Sequence, residues 1–173
     1  MKLLWKVERM NMNRLMPSLL LSSFLFMVVS ACSNPELETM TSLEFSKGGY
    51  DANDHQIYID AGNKSIKYGY SELGSLPFDI HDTPEDELES GQEITEIILT
   101  SEEWDRLLEA LTALSIDQWD DSYHDLDIMD GIQWYVTIQF PEDREMHKGG
   151  SNDFPPNWDD FLVVLEKYTG ETL

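Results

Sequence analysis

The longest apolar stretch of the chain, Leu15 to Cys32 (LMPSLLLSSFLFMVVSAC), shows neither a helical nor a strand period. It is a run of Leu, Phe, Met and Val interrupted by Pro17 and a few serines, and it follows Lys2, Lys6, Arg9 and Arg14. Beyond it the pattern changes to alternation. Leu43-Glu44-Phe45 reads as a short edge strand. Gln56 to Ala61 places Ile57, Ile59 and Ala61 on one face, and Ser65 to Tyr70 does the same with Ile66, Tyr68 and Tyr70. Gly62-Asn63 between them is a turn signal, so the two segments predict a hairpin.

The stretch 73–92 loses the alternation. It holds Pro77, Pro84 and an acidic run from Asp79 to Glu89, and reads as an exposed acidic loop. Glu93 to Leu99 resumes as a strand. Thr100 and Glu103 then have capping-box spacing, in which hydroxyl and carboxylate each satisfy an orphan backbone N–H. Trp104, Leu107, Leu108, Leu111 and Leu114 follow at helical spacing, opposite Glu102, Asp105, Arg106, Glu109 and Thr112. The clearest strand is Gly131 to Phe140, with Ile132, Trp134, Val136, Ile138 and Phe140 on one face. Pro141-Glu142-Asp143 turns it into Arg144–Lys148, and Gly149-Gly150-Ser151-Asn152 ends that partner. Pro155-Pro156 introduces a second helix, with the stripe Trp158, Phe161, Leu162, Leu165 and Tyr168 and a C-cap at Gly170.

The expected fold class is α+β: an antiparallel meander sheet of five or six strands with two amphipathic helices on one face. The pattern divides the chain into a leader at 1–31, a polar tether at 32–42, and a single domain at 43–173 with an acidic loop at about 73–92.

The leader has a basic flank, a short apolar core, and Val29-Ser30-Ala31-Cys32 at its end. It resembles the lipobox of bacterial lipoproteins, where small residues precede a cysteine. Cys32 is also the chain's only cysteine. The resemblance implies cleavage before Cys32, acylation of it, and attachment to a membrane through the acyl chains. That makes the expected location the bacterial cell envelope. Ser33 in place of an Asp points to the outer membrane where the organism has one. More than one acyl chain would hold the protein firmly, since a single chain binds only marginally. Met1, Met10 and Met12 are alternative starts of this leader.

Charge sharpens the picture. The 173 residues carry 11 Lys and Arg against 34 Asp and Glu, a net of -23. Four of the basic residues and one acid lie in 1–31, so the segment from Cys32 has 7 basic and 33 acidic side chains, a net of -26. This excludes a nucleic-acid partner, which would need a basic face. Acids are also so frequent that their spacing carries little information. Asp117 to Asp130 holds six Asp and one His. Within it Asp125, Asp127 and Asp130 are weak candidates for a cation, since hard oxygen ligands at close spacing suit Ca²⁺. They depart from an EF-hand loop, because the third acid and Gly131 each come one residue late and Thr137 stands where a Glu is needed. No metal and no other cofactor is expected. His55, His81, His124 and His147 are scattered without zinc-ligand spacing, and no nucleophile motif is present.

One further resemblance covers about 30 residues. Asp130-Gly131-Ile132-Gln133-Trp134, followed by Gly150-Ser151-Asn152-Asp153-Phe154-Pro155-Pro156-Asn157-Trp158, resembles a pattern in a group of small uncharacterised bacterial proteins, often secreted or lipidated. It implies a shared order of strand, turn, strand and helix, and no activity. Trp134, Gly150, Ser151, Asn152 and Trp158 are therefore candidates either for a ligand-facing groove or for a structural turn, with Asn152 bonding backbone groups. The functional expectation is a lipid-anchored envelope protein, a non-catalytic domain that binds a protein or cell-wall partner. Two alternatives are an acidic inhibitor or immunity protein against a basic toxin or cell-wall hydrolase, and an Asp/Glu-dependent hydrolase.

Overall fold

The computed structural model describes residues 37–73, 78–81 and 83–173. The leader, the lipobox and Cys32 lie outside the described residues. Among the described residues, seven strands and two α-helices follow in chain order: β1 (Ser42–Gly49), β2 (Ala52–Asp60), β3 (Ser65–Ser71), β4 (Gln92–Ile98), α1 (Ser101–Ala113), β5 (Ser122–His124), β6 (Ile132–Phe140), β7 (Arg144–Ser151) and α2 (Trp158–Thr169). The strands form one sheet in the order β4-β3-β2-β1-β6-β7-β5. β1 to β4 are a meander, and after α1 and β5 the chain inserts β6 beside β1.

The α+β class is as expected, and the finer arrangement differs in three ways. The sheet has seven strands and is mixed, because β5 pairs parallel to β7. β5 is three residues long and sits among aspartates, too short to show a period. β1 is a central strand, hydrogen-bonded to β2 on one side and β6 on the other. Its outward positions Glu44, Ser46 and Gly48 are polar or small because one face of the sheet carries no helix, not because the strand is an edge. The domain also starts earlier than expected. Leu37–Thr39 forms a 3₁₀ turn, and Leu37 and Met40 are buried in the core, inside the segment read as a tether.

The core lies between the sheet and both helices. Phe45, Ile57, Val136 and Ile138 from the sheet meet Leu107 and Leu111 of α1 and Phe161 and Leu165 of α2. An aromatic cluster fills its centre. The Trp134 ring lies 4.7 Å from Trp158 and 6.0 Å from Trp119, and Phe161 meets Phe45 and Trp119 edge-on at 5.3 and 5.4 Å. Such tilted pairs suit the ring quadrupoles.

Helix ends are set locally. Glu103 Oε2 accepts from the Thr100 N–H at 2.9 Å while Thr100 Oγ1 accepts from the Glu103 N–H at 3.3 Å, which completes the capping box. The Thr100 hydroxyl and amide bonds hold the Glu103 carboxyl below its ordinary range. Gly170 ends α2 in a left-handed conformation, its N–H donating to the Glu166 carbonyl. The two prolines precede α2 and form the turn into it, with the Trp158 N–H donating to the Pro155 carbonyl at 3.1 Å. In the β2–β3 hairpin, Asp60 Oδ1 accepts from the N–H groups of Gly62 and Asn63, at 2.7 and 3.2 Å.

Candidate functional site

Three places in the described residues combine polar side chains in ways that could carry chemistry: the Gly150-Ser151-Asn152 turn, a cross-strand cluster on β6 and β7, and a groove on the open face of the sheet.

The turn is built from within. Trp134 is fully buried and its indole N–H donates to the Asp153 carbonyl at 2.9 Å. A side chain at Gly150 would stand 2.3 Å from that indole nitrogen, so only glycine lets the strand close over Trp134. Asn152 adopts a left-handed backbone (φ 57°), and its Oδ1 accepts from the Ile132 N–H at 2.8 Å. Ser151 Oγ accepts from Gln133 Nε2 at 2.8 Å. Trp158 is buried, and Asn157 beside it accepts from the Trp119 indole at 2.7 Å and donates to the Leu114 carbonyl. Trp134 and Trp158 thus face the core, and Asn152 and Ser151 bond their neighbours. Of the five, Gly150 borders a surface recess of about 270 Å³, shared with His124, His147 and Tyr135.

The acidic segment 117–130 does different work in different places. Asp121 pairs with Lys148 (2.9 Å), whose ammonium also donates to the Trp119 carbonyl at 2.6 Å. The Lys148 side chain is only 6% exposed, so this pair ties the Trp119 loop to β7 from the core side. Asp125 Oδ1 accepts from the Asp127 N–H in a local turn (2.9 Å), and Leu126 and Met129 beside it stand in solvent. Among the described residues, Asp125, Asp127 and Asp130 do not converge with one another or with other acids or histidines as a metal-holding group.

On β6 and β7, Thr137 Oγ1 lies 3.2 Å from His147 Nδ1, and His147 Nε2 lies 2.9 Å from Glu145 Oε2. Gln139 Nε2 donates to Glu145 Oε1 at 2.7 Å. The Gln139 amide, and then His147, hold the Glu145 carboxyl below its ordinary range. The order hydroxyl, imidazole, carboxylate matches that of a catalytic triad, but two elements of such a site are missing here. β6 is paired on both sides, so its backbone N–H groups serve the ladders and leave no oxyanion donors beside Thr137. His147 and Glu145 are also open to water. The cluster is a set of cross-strand pairs, Thr137 opposite His147 and Gln139 opposite Glu145.

The groove is a recess of about 540 Å³ on the face away from the helices. Its wall and floor come from four adjacent strands: Ser71 of β3, Gln56 of β2, Glu44 and Ser46 of β1, and Gln133 and Tyr135 of β6. Ser46 lies opposite both Gln56 and Tyr135, so the three side chains form one row across the sheet. Asp54 completes the floor. A side chain at Gly48 would sit 1.6 Å from Asp54 Oδ1, so the missing Cβ at Gly48 lets the Asp54 carboxylate lie across the strand.

Part of the loop read as exposed closes one end. Gln56 Nε2 donates to the Phe78 carbonyl at 2.9 Å, His81 meets the Tyr58 ring edge-on at 4.3 Å, and Ile80 is buried. Residues 78–81 therefore cross the open face as a strap. Phe78 contributes to the groove, and Tyr135 stands 57% exposed at the other end. No protein-family model, curated protein or solved structure matches this chain.

The groove's two carboxylates are set far apart. Asp54 lies over Gly48, four residues along β1 from Glu44, which is about 13 Å of strand. That backbone separation exceeds both the spacing of about 5–5.5 Å in carboxylate pairs that work through a covalent glycosyl intermediate and the spacing of about 6.5–9.5 Å in pairs that activate a water. Glu44 is drawn toward His81, 3.8 Å away. The arrangement suits hydrogen bonding to a ligand better than paired acid–base chemistry.

Neither Glu44, Asp54, Ser71 nor the strap was singled out by sequence. Alternation placed Ser46 and Gln56 on the polar face but did not say that loop 73–92 would fold across it. The usable signal was the pair of apolar residues Phe78 and Ile80 inside an otherwise acidic stretch.

Proposed function

We propose that this protein is a lipid-anchored component of the bacterial cell envelope whose domain binds an envelope partner through the open face of its sheet, without catalysis. The observation that carries the anchoring is the coincidence of a basic flank, an apolar run and the chain's single cysteine at Val29-Ser30-Ala31-Cys32. Among the described residues no helix is long and apolar enough to cross a membrane. A net of -26 from Cys32 onward opposes electrostatic attraction to anionic lipid, so attachment falls to the acyl chains. Two features support binding over catalysis: the separated carboxylates of the groove and the missing oxyanion donors beside Thr137.

The test is fractionation of cells expressing the full chain and its Cys32→Ala variant. The expected outcome is membrane association of the first and soluble release of the second. Membrane association that persists in Cys32→Ala contradicts the anchor. Labelling with an alkyne fatty acid should mark the first and not the second.

A further inference from the structure

Four strands converge on the groove with a particular mixture of groups. Gln56 and Gln133 each offer a donor and an acceptor, Ser46 and Ser71 offer hydroxyls, and Glu44 and Asp54 accept at opposite ends. Phe78 and Tyr135 supply aromatic surface at the margins. From Ser71 on β3 to Tyr135 on β6 the floor crosses three strand spacings, about 14 Å.

One group lining this groove, opposite Asp54, is unsatisfied. Ser71 is only 2% exposed, lines the groove, and its Oγ has no hydrogen-bond partner. A buried hydroxyl without a partner is costly, and most such groups in folded proteins are bonded. A ligand hydroxyl entering the groove would supply the missing bond.

We propose that the groove binds a short oligosaccharide. Neutral groups that both donate and accept match sugar hydroxyls, which do the same. Carboxylates at the two ends accept from adjacent hydroxyl pairs, and exposed rings stack on the C–H faces of pyranose units. A strongly basic ligand would call for carboxylates along the whole row, whereas the middle of this one is amide and hydroxyl. The proposal rests on the envelope-binding reading, because that is where the protein would meet glycan. The assay does not depend on anchoring, so failure of one leaves the other standing.

The experiment is calorimetric titration of the full chain in detergent micelles with chitotetraose, cellotetraose and maltotetraose, and with tetralysine as the cationic comparison. Saturable binding of at least one saccharide at millimolar or lower concentration is expected. Tyr135→Ala should weaken it by up to about tenfold, the worth of one aromatic contact. Ser71→Ala should weaken it by about two- to tenfold, the worth of one hydrogen bond, while leaving the melting temperature unchanged or higher, since the orphan hydroxyl is gone. Absence of saccharide binding overturns the proposal. So does binding that neither substitution affects. Tetralysine binding in place of the saccharides would assign the groove to a basic partner and overturn it equally.

Discussion

The two faces of the sheet are built from the same strands by opposite rules. On the helix side, Phe45, Ile57, Trp134 and Val136 are buried, and Lys148 is bonded in place to Asp121 and the Trp119 carbonyl, while the buried Thr112 Oγ1 and Asp117 Oδ1 have no partner. On the other side, Glu44, Ser46, Gln56 and Gln133 alternate with them residue by residue, and one buried hydroxyl, on Ser71, is left unbonded. Because side chains in a strand point alternately to the two faces, one sequence serves both purposes. The helix face carries the apolar core, and the open face presents the polar groups to which we assign a ligand. The contrast between Trp134 and Tyr135 states it in two adjacent residues, one fully buried and one mostly exposed.

Substitutions should therefore separate cleanly. Trp134→Ala should cost about 3–5 kcal/mol by emptying the aromatic cluster, measured by denaturant unfolding. A loss below 1 kcal/mol would mean the cluster is not the structural centre. Lys148→Ala should cost about 1–3 kcal/mol, because it strands the Trp119 carbonyl in the core. Tyr135→Ala, one position along from Trp134, should stay within about 0.5 kcal/mol of the parent.

His55 tests the boundary of the helix face. Burial, and then the nearby Lys47 ammonium, hold its imidazole below the ordinary histidine range, with Asp54 acting the other way. Its Nδ1 lies 3.0 Å from the Tyr68 hydroxyl, which burial and then the Glu171 carboxylate push up to about 12. A lowered histidine pKa means the unfolded chain takes up the proton first. The contribution of His55 is thus fully present above its unfolded value, near 6.5, and is lost as pH falls through and below it. Melting temperature should drop from pH 7 to pH 5, and His55→Phe should reduce that drop. An unchanged pH profile in the variant would remove His55 from the account.

The sequence carried much of this division and missed particular pieces for physical reasons. Both helices were legible because each has a wide apolar stripe and a local end signal, Thr100 with Glu103 and Gly170. β6 was legible from five alternating apolar residues. β5 was not, because its three residues join the sheet only through a parallel pairing with β7, a non-local event. The central place of β1 was hidden for the same reason, since insertion of β6 beside it depends on the whole chain. The groove was hardest to foresee. It needs the strap at Phe78–His81, and the chain around it is dominated by acids, with Phe78 and Ile80 as the apolar cues. The Gly150-Ser151-Asn152 motif was visible, and its residues hold the turn together more than they face a cavity.

The division of labour is tested most directly by backbone and side-chain NMR of the full chain in micelles during titration with the saccharide that binds. The account predicts shifts concentrated at Ser46, Gln56, Ser71, Gln133 and Tyr135, with the Trp134 and Trp158 indole signals unmoved. Shifts centred on the helices, or indole signals that move with the ligand while Tyr135 does not, would contradict it.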